Sequence, residues 1–207
     1  PRLNPPPPRP PCRGYPPGPS VWDIGGDNGK RWGKWRRDNS PRDFPLMRIV
    51  QVGLSELSLL QEISKNTFEE TFAAFNTKED MTHYFEHNLS LDQLAFELQA
   101  SASSFYFIYV EEELSGYMKL NISETFEIER IYILKKFQGI GVGKTLMNFA
   151  FDQSKSLGFN SLWLGVWEHN TKAISFYKSL GFIFYGEHEF LLGSDRQRDI
   201  LMRLDLN

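Results

Sequence analysis

Residues 138–145, QGIGVGKT, place glycines at 139, 141 and 143 and follow them with Lys144 and Thr145. Glycine lets a backbone approach an anion closely. An apolar strand pattern precedes the loop and a helical pattern follows it. The loop therefore presents free N–H groups at a helix N-terminus, with the dipole behind them, to phosphate. Two further residues carry proton chemistry. Glu129, on the strand feeding the loop, can take a proton or act through water. Its bland reading is a surface carboxylate paired with Arg130 or another cation. Glu127, two residues earlier on the same face, is the reserve. Tyr177 follows Asn170 by seven residues, about two helical turns. Asn170 then caps a helix and Tyr177 lies deeper on the same face. A phenol is protonated at neutral pH and can donate; its bland reading is a core tyrosine with a satisfied hydroxyl.

The phosphate could belong to a nucleoside triphosphate or to the pyrophosphate of coenzyme A. A P-loop needs G-x-x-x-x-G-K-[ST]. Gly143, Lys144 and Thr145 supply its end, but position 138, where the first glycine belongs, is Gln. Glu168, after a later apolar strand, would be its Mg²⁺ ligand. Against this, the loop is tight and lies far from the first strand. The other pattern, Q-x-x-G-x-G, is met by Gln138, Gly141 and Gly143. Alone it is a weak signal, because a tight strand-to-helix turn looks the same.

The elements that must position these residues follow from periodicity. Strands are expected at 47–52, 104–110, 115–122, 126–134, 161–167, 182–190 and 199–206. Helices are expected at 55–75, 78–87, 91–100, 141–157 and 170–180, the last two stopped by Gly158 and Gly181. Gly165 inside LWLGVW marks a bulge on this reading. The order β-α-α-α-β-β-β-α-β-α-β-β makes a mixed α/β sheet with helices on its faces.

Composition divides the chain near residue 46. Residues 1–46 hold nine Lys/Arg against four Asp/Glu, and residues 47–207 hold fourteen against twenty-two, net charges of +5 and −8. The first segment is rich in Pro and Arg and poor in aliphatic residues, so it reads as a disordered tail. PPPPRPP could engage an aromatic groove, and Trp22, Trp32 and Trp35 among arginines could meet nucleic acid. Residue 1 is not Met and MRIVQVG begins a natural first strand at Met47, so the tail reads as upstream or non-native sequence, outside the functional argument. Residues 47–207 form the working domain. No run of about eighteen apolar residues predicts a membrane span, and no secretory signal is evident. The one cysteine, Cys12, excludes a disulfide framework and suits a cytoplasmic setting. His83 and His87 lie i, i+4 on a helix without an evident third ligand, so no metal is expected.

The run IERIYILKKFQGIGVGKTLM, followed by LWLGVWEHNTKAISFYKSLGF, resembles the Gcn5-related N-acetyltransferase (GNAT) superfamily over residues 47–207. NTFEETF, FYFIYV, SGYMKLNI and FEIERIYI are similar to bacterial spermine/spermidine N-acetyltransferases of the Pai operon type. The resemblance implies a mostly antiparallel sheet of about seven strands, flanked by helices and splayed at the acetyl-CoA site. It implies acetyl transfer from acetyl-CoA to an amine by direct attack through a tetrahedral intermediate. Ile131, Tyr132 and Ile133 would run beside the pantetheine arm, with a backbone N–H at about Ile133 polarising the thioester carbonyl. Gln138, Gly139, Ile140, Gly141, Val142, Gly143 and Lys144 would cradle the pyrophosphate, and Asn170 would touch the arm. Tyr177 would protonate the departing thiolate, and Glu129 would serve as base through water. Lys144 and Lys172 could also meet phosphates, or be solvated lysines.

The acceptor is argued from charge, since an acidic domain draws polycations. Glu69, Glu70, Glu79 and Asp80 fall near the first helix, where the family places its acceptor. These four could receive ammonium groups or be ordinary solvated carboxylates, and Phe68, Phe72 and Tyr84 could pack a methylene stem or simply fill the core. The expected partner is thus a small-molecule amine, not nucleic acid or membrane; dimers are common in the superfamily, so a homodimer is compatible. A protein-amine acetyltransferase, a non-catalytic acyl-CoA-binding regulator and a nucleotide phosphotransferase are the alternatives.

Overall fold

The computed structural model describes the backbone of residues 21–23, 45–192 and 195–206, and the side chains of 45–189 and 196–206. The expectation for the tail falls outside these residues, apart from the short strand β1 (Val21–Asp23), which pairs antiparallel with β2 (Met47–Gln51). The remaining elements are α1 (Leu57–Phe72), α2 (Lys78–His87), α3 (Leu91–Gln99), β3 (Ser103–Val110), β4 (Glu113–Ile122), β5 (Phe126–Ile133), α4 (Val142–Ser156), β6 (Ser161–Trp167), α5 (Thr171–Ser179), β7 (Ile183–Leu192) and β8 (Asp195–Asp205). They form one sheet in the order β1-β2-β3-β4-β5-β6-β8-β7. Every pairing is antiparallel except that of β5 with β6. The expected mixed sheet flanked by helices is what is observed.

Local signals set the helix boundaries. Thr77 accepts from Asp80 N–H and Ser90 from Gln93 N–H, so side-chain caps start α2 and α3. The first helix stops at Phe72, short of the expected 75, because Asn76 Nδ2 donates to the Phe72 carbonyl at 3.0 Å and turns the chain out. No bulge occurs at Gly165: β6 pairs with β8 without interruption from Ser161 to Trp167. The bulge that matters lies in β5, where Lys119 faces Arg130 and Leu120 faces Ile128, leaving Glu129 as the extra residue.

That extra residue divides the core. Phe126 and Ile128, then Ile131 and Ile133, pack on the side covered by α4 and α5. Tyr132 packs on the other side, with α1 and α2. Two residues, Glu129 and Arg130, stand between those inward pairs where regular alternation would leave one. Both reach the same buried ionic cluster. Lys119 Nζ lies 2.9 Å from Glu97 and 2.6 Å from Glu129, and Arg130 lies 2.9 Å from Glu97 and 3.3 Å from Glu129. Burial pushes the Glu97 carboxyl up, but Arg130, Gln93 and Lys119 outweigh it and hold it below the usual range.

Breaking a buried ion pair from one side costs about 3–5 kcal/mol, because an uncompensated charge remains. Glu97→Ala is therefore expected to lower the urea midpoint clearly at pH 7; an unchanged midpoint would remove the cluster from the stability argument. A depressed carboxyl stabilises above its unfolded pKa of about 4.3 and loses that effect as pH falls through its folded value. The gap between wild type and variant should accordingly narrow below about pH 4.

Candidate active site

β5 and β6 pair only over Phe126–Ile128 and Leu162–Leu164. Beyond that point β5 follows β4 and β6 follows β8, and the two part. A bulge bends its strand and raises local twist, so Glu129 sits where the parting begins. The gap opens a cleft of ≈ 860 Å³, lined along its β5 edge by Ile131–Ile133 and the glycine loop, and along its β6 edge by Gly165–Trp167, Asn170 and Tyr177.

The backbone of β5 has a free side here. Leu134 N–H donates to Ser115 O at 3.0 Å, toward β4. Alternation then directs the N–H and C=O of Ile131 and Ile133 into the gap. Gln138 Nε2 donates to the Ile133 carbonyl at 3.0 Å from that side, which fixes the start of the loop. Gly139 and Gly141 have φ of 82° and 104°, values that side-chain-bearing residues rarely adopt. Gly141 is the N-cap of α4 and no side chain caps it; the first internal bond is Thr145 N–H to Gly141 O. The first-turn N–H groups of α4 therefore face the mouth of the cleft with no partner in the helix, an arrangement that suits an anion. A Cβ on Gly143 would lie 3.4 Å from Ile133 and 3.5 Å from Phe176, so this glycine seats α4 against β5 and α5.

Of the loop residues, Gln138, Gly139, Gly141, Gly143 and Lys144 line the cleft. Ile140 is exposed and Val142 is buried in the core, so these two have only backbone to offer an anion. The hydroxyl of Thr145 turns back to Gly141 O and Met47 Sδ, and Glu168 is held by Arg198 at 2.6 Å. Neither is placed for a P-loop metal.

Asn170 caps α5, its Oδ1 accepting from Ala173 N–H at 3.2 Å. Tyr177, two turns on, is buried between Phe176 and Phe182 yet lines the cleft. Its hydroxyl has no hydrogen-bond partner among the described residues. Burial alone pushes its pKa well above the usual phenol range. The proton stays in place until a strong base forms beside it.

On the other face of the sheet, beside α1 and α2, the cleft has a wall of aromatic and acidic residues. Trp167 packs edge-on against Phe72 and Phe75, with ring centres 5.5 and 5.0 Å apart, and Tyr132 lies 6.4 Å from Phe72. Glu70 lines the cleft and accepts from Lys135 N–H at 2.8 Å. Glu69 is exposed and away from the lining, and Tyr84, half-buried and also outside the lining, stacks on Phe68 at the edge of the core with ring centres 4.1 Å apart. Glu129 reaches the cleft with both oxygens engaged: Oε2 by Lys119 and Asn121, Oε1 by Arg130. Glu127 accepts from Asn121 at 3.2 Å and is not in the lining; burial pushes its carboxyl up. Asp199, on β8, also lines the cleft, and sequence reasoning missed it: an acidic residue at a strand start carries no signal until the sheet places it opposite Trp167. Among the described residues no group of three His, Cys, Asp or Glu side chains is arranged for a metal, and no helix is long and apolar enough to cross a membrane.

The acetyltransferase (GNAT) family matches residues 62–182, more than half of the chain. The chain is 41% identical over 166 residues to an uncharacterized N-acetyltransferase in the pepI 3′ region of Lactobacillus delbrueckii subsp. lactis, covering 76% of this chain and 96% of the relative. A spermidine N(1)-acetyltransferase from Thermoplasma acidophilum is 25% identical over 141 residues, covering 66% of this chain and 88% of its own. The crystal structure of the PaiA N-acetyltransferase from that organism, in complex with coenzyme A, superposes with a TM-score of 0.66 at 23% identity, over 77% of this chain and 98% of that one. The chain thus belongs to the acetyltransferase (GNAT) family and is an N-acetyltransferase.

Proposed function

We propose that this chain transfers acetyl from acetyl-CoA to a primary amine of a polyamine such as spermidine or spermine. The observation that carries the reading is a single cleft between β5 and β6 with an uncapped helix N-terminus and a buried phenol on one side, and carboxylates among aromatic rings on the other. The first side fits a pyrophosphate and a thioester. The α4 N–H groups and Lys144 would hold the diphosphate, Asn170 and the β5 backbone the arm, and the Ile133 N–H the thioester oxygen. The thioester supplies an activated acyl group; Tyr177 supplies the proton that the departing sulfur takes.

The other side fits a cation on an apolar stem. Trp167, Phe72 and Phe75 offer ring faces and edges to methylenes and ammonium groups, and Glu70 and Asp199 offer charge. The net −8 of residues 47–207 draws a polycation to this wall. The spermidine acetyltransferase among the relatives supports the same class. A cytoplasmic location belongs to this reading, on the low cysteine content and the solubility of both substrates. A homodimer is compatible with it.

Release of CoA thiol from acetyl-CoA is expected to be faster with spermidine and spermine than with a lysine peptide or a neutral amine. A preference for the peptide would replace the polyamine by a protein acceptor. Tyr177→Phe should lower kcat by about 10²-fold, the usual weight of one proton donor. Its stabilisation by acetyl-CoA in a thermal scan should remain, which separates the acid role from binding. Gly141→Val forces a branched side chain into positive φ, at a cost of order 1–2 kcal/mol. It should raise the dissociation constant for CoA at least several-fold, read by calorimetry; unchanged binding would remove the loop from the anion site.

A further inference from the structure

We propose that Asp199, rather than Glu129, takes the proton from the acceptor ammonium. This rests on the amine-acetylation reading above. The carboxylates near the cleft differ in what already holds them. Glu129 is bound by Lys119, Arg130 and Asn121, and Glu70 by the Lys135 N–H. The Asp199 side chain is half-buried, lines the cleft, and has no hydrogen bond or ion pair among the described residues. Its oxygens remain available to a substrate.

Its position is built by the sheet. Asp199 lies opposite Trp167, at the end of β6 where the gap from β5 is widest. Gln197, two residues earlier on the same face, donates to Asn76 Oδ1 at 2.9 Å in the α1–α2 connection, so that face is the one bearing the aromatic wall. Gly165 makes the room. A Cβ at 165 would lie 3.2 Å from Asp199 Oδ2 and 3.7 Å from its Cβ. The glycine in LWLGVW is therefore a space for this carboxylate, since no bulge requires it.

The titratable groups around Asp199 are His188, its cross-strand neighbour on β7, Tyr132 on β5, Tyr84 on α2, and His169 in the cleft wall. Burial raises the Asp199 carboxyl and His188 opposes this less strongly, so the net shift is upward. A raised carboxylate is a better match for an ammonium proton than an ordinary one.

The ammonium gives one proton to Asp199 and becomes a neutral amine. Its nitrogen bonds to the acetyl carbon, the carbon–sulfur bond breaks, and the sulfur takes the Tyr177 proton. The second nitrogen proton leaves as the amide forms and replaces, through solvent, the one Tyr177 gave. Asp199 returns its proton to water.

The test compares Asp199→Asn, Glu129→Gln and Gly165→Ala in the full chain. It measures kcat/KM for whichever of spermidine or a lysine peptide the wild type prefers, from pH 6 to 10, and acetyl-CoA binding by thermal shift. Asp199→Asn is expected to lose about 10²-fold or more at pH 7. The loss should shrink as pH nears the amine's own pKa of about 10, where the acceptor deprotonates unaided. Gly165→Ala should show a smaller loss of the same pH-dependent form, and acetyl-CoA should still stabilise both. The proposal is overturned if Asp199→Asn stays within about threefold of wild type while Glu129→Gln carries the pH-dependent loss, or if the Asp199→Asn loss is equal at every pH. Activity of the wild type on the peptide alone defeats the polyamine reading and leaves Asp199 to be judged on that acceptor. No release with any amine defeats the transfer reading and Asp199 with it.

Discussion

A pair of strands that starts bonded and then parts leaves backbone N–H and C=O groups without partners in the middle of a sheet. Each such group costs about 1–3 kcal/mol if it stays buried and unmet. The fold carries this only because β5 is still held by β4 on its other edge and β6 by β8. The Ile131 backbone groups and the Ile133 N–H are left without a strand partner, and everything else in the site is arranged around that gap. The glycine loop brings α4 to its mouth, Gln138 fixes the loop to Ile133, and α5 closes the far wall with Tyr177.

The bulge at Glu129 connects the gap to the core. It places Glu129 and Arg130 on one face, where Lys119 and Glu97 wait. A buried quartet of two acids and two bases is a poor source of net stability, but it is intolerant of losing a member. It ties α3 through β4 to the strand that must hold its bend. The neutral sum of the quartet also means that the acidity felt by an acceptor comes from carboxylates outside it, Glu70 and Asp199.

Chain order alone carried much of this. The Q-x-x-G-x-G spacing, the Asn170–Tyr177 interval and the alternation in β3–β6 are local patterns, and local patterns survive into the structure because they are set by backbone sterics and helical repeat. Where a reading failed, a contact between distant segments was responsible. Asn76 shortened α1, and the unbroken β6–β8 ladder left no bulge at Gly165. Glu129 was legible as a carboxylate near the loop. That both its oxygens are engaged was not, because Lys119 lies ten residues away on a neighbouring strand and Asn121 beside it.

The sequence by itself determined the elements, the glycine loop with its positive-φ residues, and the phenol two turns into α5, since each depends on residues within a few positions of one another. Tertiary structure alone decided where the sheet parts, which carboxylates are spent on internal cations, and that Glu70 and Asp199 face the cleft outside those pairs. Those outcomes depend on strand register and on the bulge: the bulge turns Glu129 onto Lys119 and Arg130, and a one-residue slip of β8 against β6 would send Asp199 to the opposite face of the sheet.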